Sequence, residues 1–287
     1  MSAAKLVGLA LNLSIWLLVF GIALNAGAWR VRMIFRDPAL LMRSLVAMYV
    51  VMPVFAVWVA LNFDLNRAVV TALILLALSP VPPVLPSKQL KAGGSMNFVI
   101  GLLVVAALAA IAVVPAGVDV IGRAFGYELN VPFAVTARVV ATSVLLPVVA
   151  GLAVARWAPA FAEKVAGPVA TVSTVLLLVC LILIVISKWS ALAAQANNFT
   201  IVAIVLFIAV GLVAGHLLGG PEPDNRTSLA LATATRHPGV AIAVLNVIAP
   251  TAEDVAPVVL LYLLVGMLAS LPYLKWRTRD RAAVKSR

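Results

Sequence analysis

The sequence predicts an all-α, polytopic membrane protein with about nine transmembrane helices. Its 287 residues are 64% hydrophobic and only 11% charged, whereas about a quarter of the residues in a soluble domain are charged. Apolar stretches of about 20 residues, the length that crosses a bilayer as a helix, follow one another along the whole chain. No polar stretch is long enough for a separate soluble domain, so the lipid bilayer is the expected environment.

Nine apolar stretches define the predicted spans. The first follows Lys5 and is longer than the apolar part of a typical signal peptide, so we interpret it as a span. The spans cover residues 6–28, 39–62, 67–91, 96–115, 132–155, 166–188, 199–218, 227–249 and 256–274.

Most basic residues fall on one side of the membrane if there are nine spans. These residues are Arg30, Arg32, Arg36, Arg43, Lys88, Lys91, Arg156, Lys164, Arg226 and the tail from Lys275 to Arg287. Because cytoplasmic loops are enriched in Lys and Arg, we expect a plasma-membrane protein, specifically of the bacterial inner membrane. Its N-terminus is expected outside and its C-terminus in the cytoplasm. This placement accounts for the net charge of +11, so nucleic-acid binding is not expected.

Two of the predicted spans are interrupted. The third contains Ser79 followed by Pro80, Pro82, Pro83 and Pro86, and prolines inside a helix remove backbone hydrogen bonds. The eighth contains the run Arg236–Gly239. Each is the next-to-last span of its half, which favours two inverted repeats with a substrate site at their interface; the alternative is that these prolines only kink their helices.

The predicted division of the chain follows from these interruptions. The first repeat is 1–115, with four spans and the broken helix 67–91, and an external connection covers 116–131. The second repeat is 132–274, with five spans and the broken helix 227–249, and a basic cytoplasmic tail covers 275–287. We expect this tail to anchor the topology rather than to recognise lipids.

Arg236 is the most informative residue, because a guanidinium at membrane depth is costly and usually functional. Polar groups and prolines near the two breaks complete the candidate site. His237 either carries a proton or stays neutral and bonds the opened backbone, and we favour the second. The candidates are Arg236, His237, Pro238, Thr233, Thr235, Ser79, Pro80, Pro82, Pro83, Asn97 and Asn246.

Several short segments resemble the bile acid:sodium symporter family and, more distantly, transporters of the auxin-carrier type. They are Val19–Leu24, Met52-Pro53, Leu78-Ser79-Pro80, Leu146–Leu152 and His237–Ala241. The resemblance implies a core domain with two crossing broken helices, a panel domain beside it, and alternating access. Compared with ten-span bacterial members, this chain lacks the first helix.

The resemblance also implies positions for sodium ligands, and this chain lacks suitable side chains there. The residues at those positions are Met48, Leu85, Pro86, Val99, Leu103, Ala232 and Arg236. Sodium needs oxygen ligands, so we do not expect sodium coupling by the family mechanism, and we expect no metal and no cofactor. The freed carbonyls at a helix end favour a cation, which leaves two roles for Arg236: a tethered cation that replaces sodium, or a direct ligand of an anionic substrate.

The resulting functional prediction is a secondary transporter of a small organic anion, with proton coupling as an option. One alternative is a sensor or partner protein that keeps the fold without transporting. Another is an intramembrane transferase, which is disfavoured because the carboxylates needed for metal or acid–base chemistry are scattered singly at loops and span ends. We therefore expect no enzymatic activity, and the sequence does not define the oligomeric state.

Overall fold

The computed structural model describes residues 3–25 and 34–285, and the regular elements in them are helical. Arg30, Arg32 and the end of the first predicted span lie outside the described residues. The first half contains α1 (Ala3–Leu24), α2 (Pro38–Val46), α3 (Met52–Asn62), α4 (Arg67–Leu78), α5 (Leu85–Lys91) and α6 (Met96–Ala124). The second contains α7 (Phe133–Val140), α8 (Leu146–Trp157), α9 (Pro159–Ser187), α10 (Trp189–Gln195), α11 (Asn198–Leu218), α12 (Pro223–Ala234), α13 (Pro238–Ile248), α14 (Val255–Ala269) and α15 (Leu271–Lys285).

Eight helical stretches among the described residues are long and apolar enough to cross a membrane. They overlap eight of the nine predicted spans, and the ninth, 67–91, is the interrupted pair α4 and α5. The prediction of a multi-pass, all-α membrane protein is therefore confirmed. The eight stretches are Lys5–Leu24, Pro38–Asn62, Met96–Ala124, Phe133–Trp157, Pro159–Ser187, Phe199–Leu218, Pro223–Ile248 and Val255–Asp280.

The two interrupted helices meet at their breaks. In the first, the backbone leaves the helical conformation at Ser79 (φ −71°, ψ 151°) and α5 follows after the proline cluster. In the second, Thr235 is extended (φ −118°, ψ 122°) and α13 begins at Pro238. The half-helix α4 packs on α13, and α5 packs on α12. This is the pattern expected of two crossing broken helices; the inverted-repeat boundaries stay a prediction.

A glycine-lined contact fixes α12, the first half of the second broken helix. Gly211 and Gly215 of α11 face the backbone of α12, and a Cβ built on Gly215 would lie 2.5 Å from the Cα atom of Ala230. Only glycine permits so close an approach of two helices. The position of α12, and with it the second break, is therefore set by backbone-to-backbone packing with α11.

The helices form two packing groups. The core group consists of α2–α6 and α11–α14, and the panel group consists of α1, α8 and α9. Most residues of the large hydrophobic cluster belong to the core group, and Val19 of α1 and Val148 of α8 join it from the panel group. Leu24, Ala162 and Ala166 of the panel group form a small separate cluster. Two further helices connect the groups, because α7 packs on α6 and α13, and α10 packs on α14.

The predicted basic tail differs in the structure from a simple membrane anchor. Its residues 275–285 belong to the helix α15, and the Arg277 side chain is buried. Its Nε donates to the Thr227 hydroxyl at 2.9 Å, and its Nη2 donates to the Pro223 carbonyl at 3.2 Å. Its Nη1 pairs with Asp280 at 2.6 Å. Arg277 therefore joins α15 to the first turn of α12, a contact that needs the tertiary arrangement and is invisible in a charge pattern.

Candidate functional site

The crossing of the two broken helices is built around Arg236, whose side chain is fully buried. The backbone N–H of Arg236 donates to the Tyr262 hydroxyl of α14 at 3.0 Å. That hydroxyl in turn donates to the Ala234 carbonyl at 2.6 Å. Tyr262 thus satisfies one donor and one acceptor that the end of α12 leaves free, and it holds the backbone on both sides of Thr235.

The guanidinium of Arg236 joins two other elements. Its Nη1 donates to the Ser79 carbonyl at 3.2 Å, and its Nη2 donates to the Met48 carbonyl. Its Cζ lies 6.0 Å from the centre of the Tyr49 ring, within the range of a cation–π interaction. Its Nε has no hydrogen-bond partner. The charge is therefore solvated by carbonyl dipoles and an aromatic face.

The Met48 carbonyl is available because the helix has a π-turn at Ala47–Val51. A π-turn moves the hydrogen-bond partner of a carbonyl from four to five residues further along the chain. Five residues after Met48 stands Pro53, which has no N–H to donate. The sequence thus leaves one carbonyl open inside an otherwise regular span, and Arg236 occupies it.

A second π-turn, Ala141–Leu145, stands between α7 and α8, and it also ends two residues before a proline, Pro147. It carries Ser143, whose hydroxyl donates to the Val139 carbonyl at 2.7 Å. The same hydroxyl lies 3.3 Å from Nε2 of His237. This π-turn therefore brings a polar group of the α7–α8 span to the second break.

His237 caps the first turn of α13. Its Nδ1 accepts from the backbone N–H groups of Gly239 and Val240, at 3.1 and 3.4 Å. Because Nδ1 is an acceptor and the Ser143 hydroxyl already donates elsewhere, Nε2 carries the proton and donates to Ser143. The hydrogen bonds assign a neutral imidazole with both nitrogens engaged, which agrees with the favoured role as a bonded, neutral histidine.

The first break contributes carbonyl groups. The Ser79 hydroxyl donates to the Leu75 carbonyl at 2.7 Å. The Ser79 carbonyl accepts from Arg236, because Pro83, four residues further on, has no N–H to donate. The Pro80 carbonyl accepts from the His237 N–H at 2.9 Å. Pro82 accepts from Leu85 at 3.0 Å, at the start of α5. The breaks are thus joined through backbone groups that the prolines released.

The structure brings most of the predicted site residues together. Ser79, Pro80, Arg236 and His237 are linked by hydrogen bonds, and Pro82, Pro83, Thr233, Thr235 and Pro238 stand in or beside the two breaks. The Thr233 hydroxyl is buried there without a partner.

The two predicted asparagines lie elsewhere. Asn246 is exposed, eight residues beyond the start of α13, or about 12 Å at the rise of an α-helix. Asn97 stands nine residues before Ala106 in α6, whose carbonyl accepts from Tyr49, or about 14 Å away by the same rise. Neither lines the crossing.

The positions implied for sodium ligands are filled by apolar packing. Met48, Leu85, Val99, Leu103 and Ala232 are buried members of the hydrophobic interior, and Pro86 is buried in α5. Within residues 3–25 and 34–285, no three His, Cys, Asp or Glu side chains cluster in a way that could hold a metal ion. The cation present at the crossing is the guanidinium of Arg236.

Two broken helices that cross are a common feature of secondary transporters. The sequence profile of the sodium bile acid symporter family matches residues 12–195, more than half of the chain. The chain therefore belongs to that family, whose members are membrane proteins that transport small molecules across the lipid bilayer. A search of curated proteins gave no match to the chain.

The matched residues include the first break, both π-turns and their prolines. They end before α11, so the second break and Arg236 lie outside the matched segment. The family assignment and the chemistry of Arg236 are therefore independent observations.

Proposed function

We propose that this protein is a secondary transporter of a small organic anion, working by alternating access without the family's sodium coupling. The observation that carries the proposal is the Arg236 guanidinium, which donates to carbonyls of the first break and of the first π-turn. A permanent, covalently attached cation occupies the place where two helix ends meet. The carrier then needs no cation from solution to complete the crossing.

Electrostatics explains why a cation belongs there. The helices α4 and α12 end at Leu78 and Ala234, and each helix C-terminus carries about half a negative charge on its free carbonyls. Two such ends close together repel each other unless a positive charge lies between them. Arg236 supplies it from within the chain, and its planar fork of donors suits two acceptors in fixed positions.

The charge distribution supports an anionic substrate. The acidic residues stand in loops or near helix ends, so the fixed charge at the crossing has no carboxylate beside it. A single positive charge in a region of low dielectric produces an attractive potential for anions. The family's name includes bile acid, and a bile acid is an organic anion. The buried position of Arg236 supports long-range attraction rather than direct contact.

The charge asymmetry supports the remaining expectations for location. We propose a bacterial inner membrane, with the end of α5 and the helix α15 on the cytoplasmic side. Arg277 is then held at the cytoplasmic surface, and the loop 125–132 lies outside. His237 is engaged through both ring nitrogens, which argues against it as the group that carries a coupled proton.

Uptake into proteoliposomes tests the proposal. The purified protein is reconstituted, and the uptake of radiolabelled cholate and of short-chain carboxylates is compared in sodium-containing and in sodium-free choline buffer. We expect equal initial rates in the two buffers and no stimulation by an imposed pH gradient. A strict requirement for sodium contradicts the proposal.

A binding measurement separates transport from sensing. If a thermal-shift screen detects an organic anion that stabilises the protein, but this anion does not cross the vesicle membrane, a non-transporting sensor is the better interpretation. Uptake that exceeds that of empty vesicles and saturates with concentration supports a transporter.

A further inference from the structure

The core and panel groups contact each other mainly on one side of the molecule. The helix α7 presents Thr136 and Val140 to the core group, and Val144 of the following π-turn continues this buried face. The helix α10 packs on α14 on the same side. The two helices share this side because α7 follows the end of α6 at Ala124, and α10 follows the end of α9 at Ser187.

On the opposite side, the panel group packs with itself. The end of α1 and the start of α9 enclose Leu24, Ala162 and Ala166, with Val154 and Ala155 of α8 against them. This cluster is separate from the large hydrophobic cluster, which panel residues enter at Val19 and Val148. Among the described residues, substantial packing of α8 or α9 on α5 or α12 is absent. Within residues 3–25 and 34–285, the two groups are thus closed together on the α7 side and lack substantial helix packing on the other, which we call the parted side.

One hydrogen bond between side chains crosses the boundary at the level of the breaks. It runs from Nε2 of His237, in the core group, to Oγ of Ser143, in the π-turn that continues into α8, at 3.3 Å. Ser143 also marks the point where the α7–α8 span changes partners, from α13 and α6 before it to α1 and α9 after it.

We infer that Ser143 is a positioning residue that latches the closed side of the carrier. When the panel group moves away from α13, the Nε2–H group of His237 must exchange Ser143 for water or solute. The Nδ1 cap on Gly239 and Val240 stays within the core group, so the latch opens without loss of the first turn of α13. The inference rests on the proposed function only for its effect on transport.

A second hydroxyl on the same closed face strengthens the need for such a latch. Thr136 is fully buried on α7, and its Oγ1 has no hydrogen-bond partner. A buried hydroxyl without a partner favours the state in which water can reach it. The Thr136 hydroxyl therefore favours the opened state, whereas the hydrogen bond from His237 to Ser143 favours the closed state of the α7 side.

Distances between spin labels test the latch without relying on transport. In a Cys180→Ala background, one pair of labels is attached to Arg138→Cys in α7 and Asn246→Cys in α13, two exposed positions on the closed side. A second pair is attached to Lys91→Cys in α5 and Arg156→Cys in α8, exposed positions on the parted side. Pulsed electron paramagnetic resonance then reports the two distance distributions for the reconstituted full chain.

Ser143→Ala is expected to lower the ratio of the closed to the opened population on the α7 side by about two- to tenfold, the factor that one neutral hydrogen bond supplies. The first label pair then moves apart, and the second moves together. His237→Asn is expected to have the same effect, because an asparagine can still cap α13 but lacks the second ring nitrogen.

Thr142→Ala is the matched control, since its hydroxyl belongs to the same π-turn and donates to the Arg138 carbonyl; we expect unchanged distributions. Identical distributions for Ser143→Ala and the parent protein overturn the latch. If the distances shift as expected but no solute is transported by the parent protein, the latch stands and the proposed function fails. If the parent protein transports solute but the distances do not respond to Ser143→Ala, the proposed function stands and the latch is overturned.

Discussion

Arg236 is buried without a carboxylate partner, and carbonyl groups take that role instead. Transferring an isolated charge from water into the protein costs several kcal/mol even after relaxation. Here the Ser79 and Met48 carbonyls and the Tyr49 ring surround the charge. The acceptors come from different elements, so Arg236 ties the first π-turn and both breaks into one unit.

Replacing Arg236 tests how much its side chain stabilises the folded protein. We expect Arg236→Gln to lower the stability of the detergent-solubilised protein by about 1–3 kcal/mol for each carbonyl that loses its donor. Glutamine carries two amide hydrogens on a shorter stem and no charge, so it cannot bridge both acceptors. The measurement is thermal unfolding followed by tryptophan fluorescence. We expect the unfolding temperature of Arg236→Lys to lie between those of the parent protein and Arg236→Gln.

Arg156→Gln serves as the control for this substitution, because Arg156 is exposed at the end of α8 and its loss should leave the unfolding temperature unchanged. If Arg236→Gln unfolds at the same temperature as the parent protein, the guanidinium does not hold the crossing together.

The sequence was informative wherever the cause of a feature is local. Prolines interrupt a helix through their own missing N–H and ring, so the breaks after Ser79 and before Pro238 could be predicted from position alone. Arg236 stood out because a charge within an apolar span is rare.

Other parts of the site depend on contacts that no local pattern encodes. Tyr262 lies on the last span and Ser143 on the fifth, and each reaches the second break only after the helices pack. The Met48 side chain offers no oxygen ligand for sodium, whereas its backbone carbonyl accepts from Arg236. Predicting that this carbonyl is free requires knowing that a π-turn is present. The sequence signal for it is the separation of five residues between Met48 and Pro53.

At the scale of elements, the contact between α11 and α12 offers a direct test of the packing. A Cβ on Gly215 would lie 2.5 Å from Ala230 Cα and from the Leu229 carbonyl oxygen, so the two helices must separate. We expect Gly215→Ala to destabilise the protein by about 1–3 kcal/mol, the usual range for overpacking. The readout is the unfolding transition in detergent.

Gly8→Ala provides the comparison, because no atom of another element lies within 4 Å of a Cβ at Gly8 of α1 and no proline follows it. In a helix interior this change should be neutral or slightly stabilising. Equal losses for the two variants would mean that the close approach of α11 and α12 does not limit stability.

The docking of α15 on α12 is a second element-scale contact. Arg277 is buried and bonded to Thr227 and Pro223, whereas Arg279 of the same helix is exposed. We expect Arg277→Ala to release α15, with a loss of about 1–3 kcal/mol for a bonded charged group. Limited proteolysis should then cleave the C-terminal segment sooner.

The same proteolysis on Arg279→Ala should match the parent protein, which separates the specific contact from a general loss of positive charge. If both variants are cleaved at the parental rate, Arg277 does not fasten the helix.

At the scale of the whole molecule, the proposed alternating access draws on the two packing groups and on their contact, which among the described residues lies mainly on one side. The core group holds both breaks and the buried charge, and the π-turn that leads into α8 of the panel group places Ser143 at the boundary. Extensive packing within each group, and the His237–Ser143 bond as the side-chain link found at this level among the described residues, favour movement of whole groups. The orientation of the chain then decides which side of the membrane the parted side faces.

Reporter fusions test that orientation. Lys88, Lys91, Arg156, Lys164 and the basic residues of α15 lie on one side if the spans alternate, and Arg67 and Arg123 lie on the other. The positive-inside rule then places the C-terminus in the cytoplasm. In a bacterial host, alkaline phosphatase fused after Leu129 should be active, and the same enzyme fused after Gly93 should be inactive. A green fluorescent protein at the C-terminus should fluoresce. Activity after Gly93 together with a dark C-terminal fusion would reverse the orientation, and the parted side of the structure would then face outward.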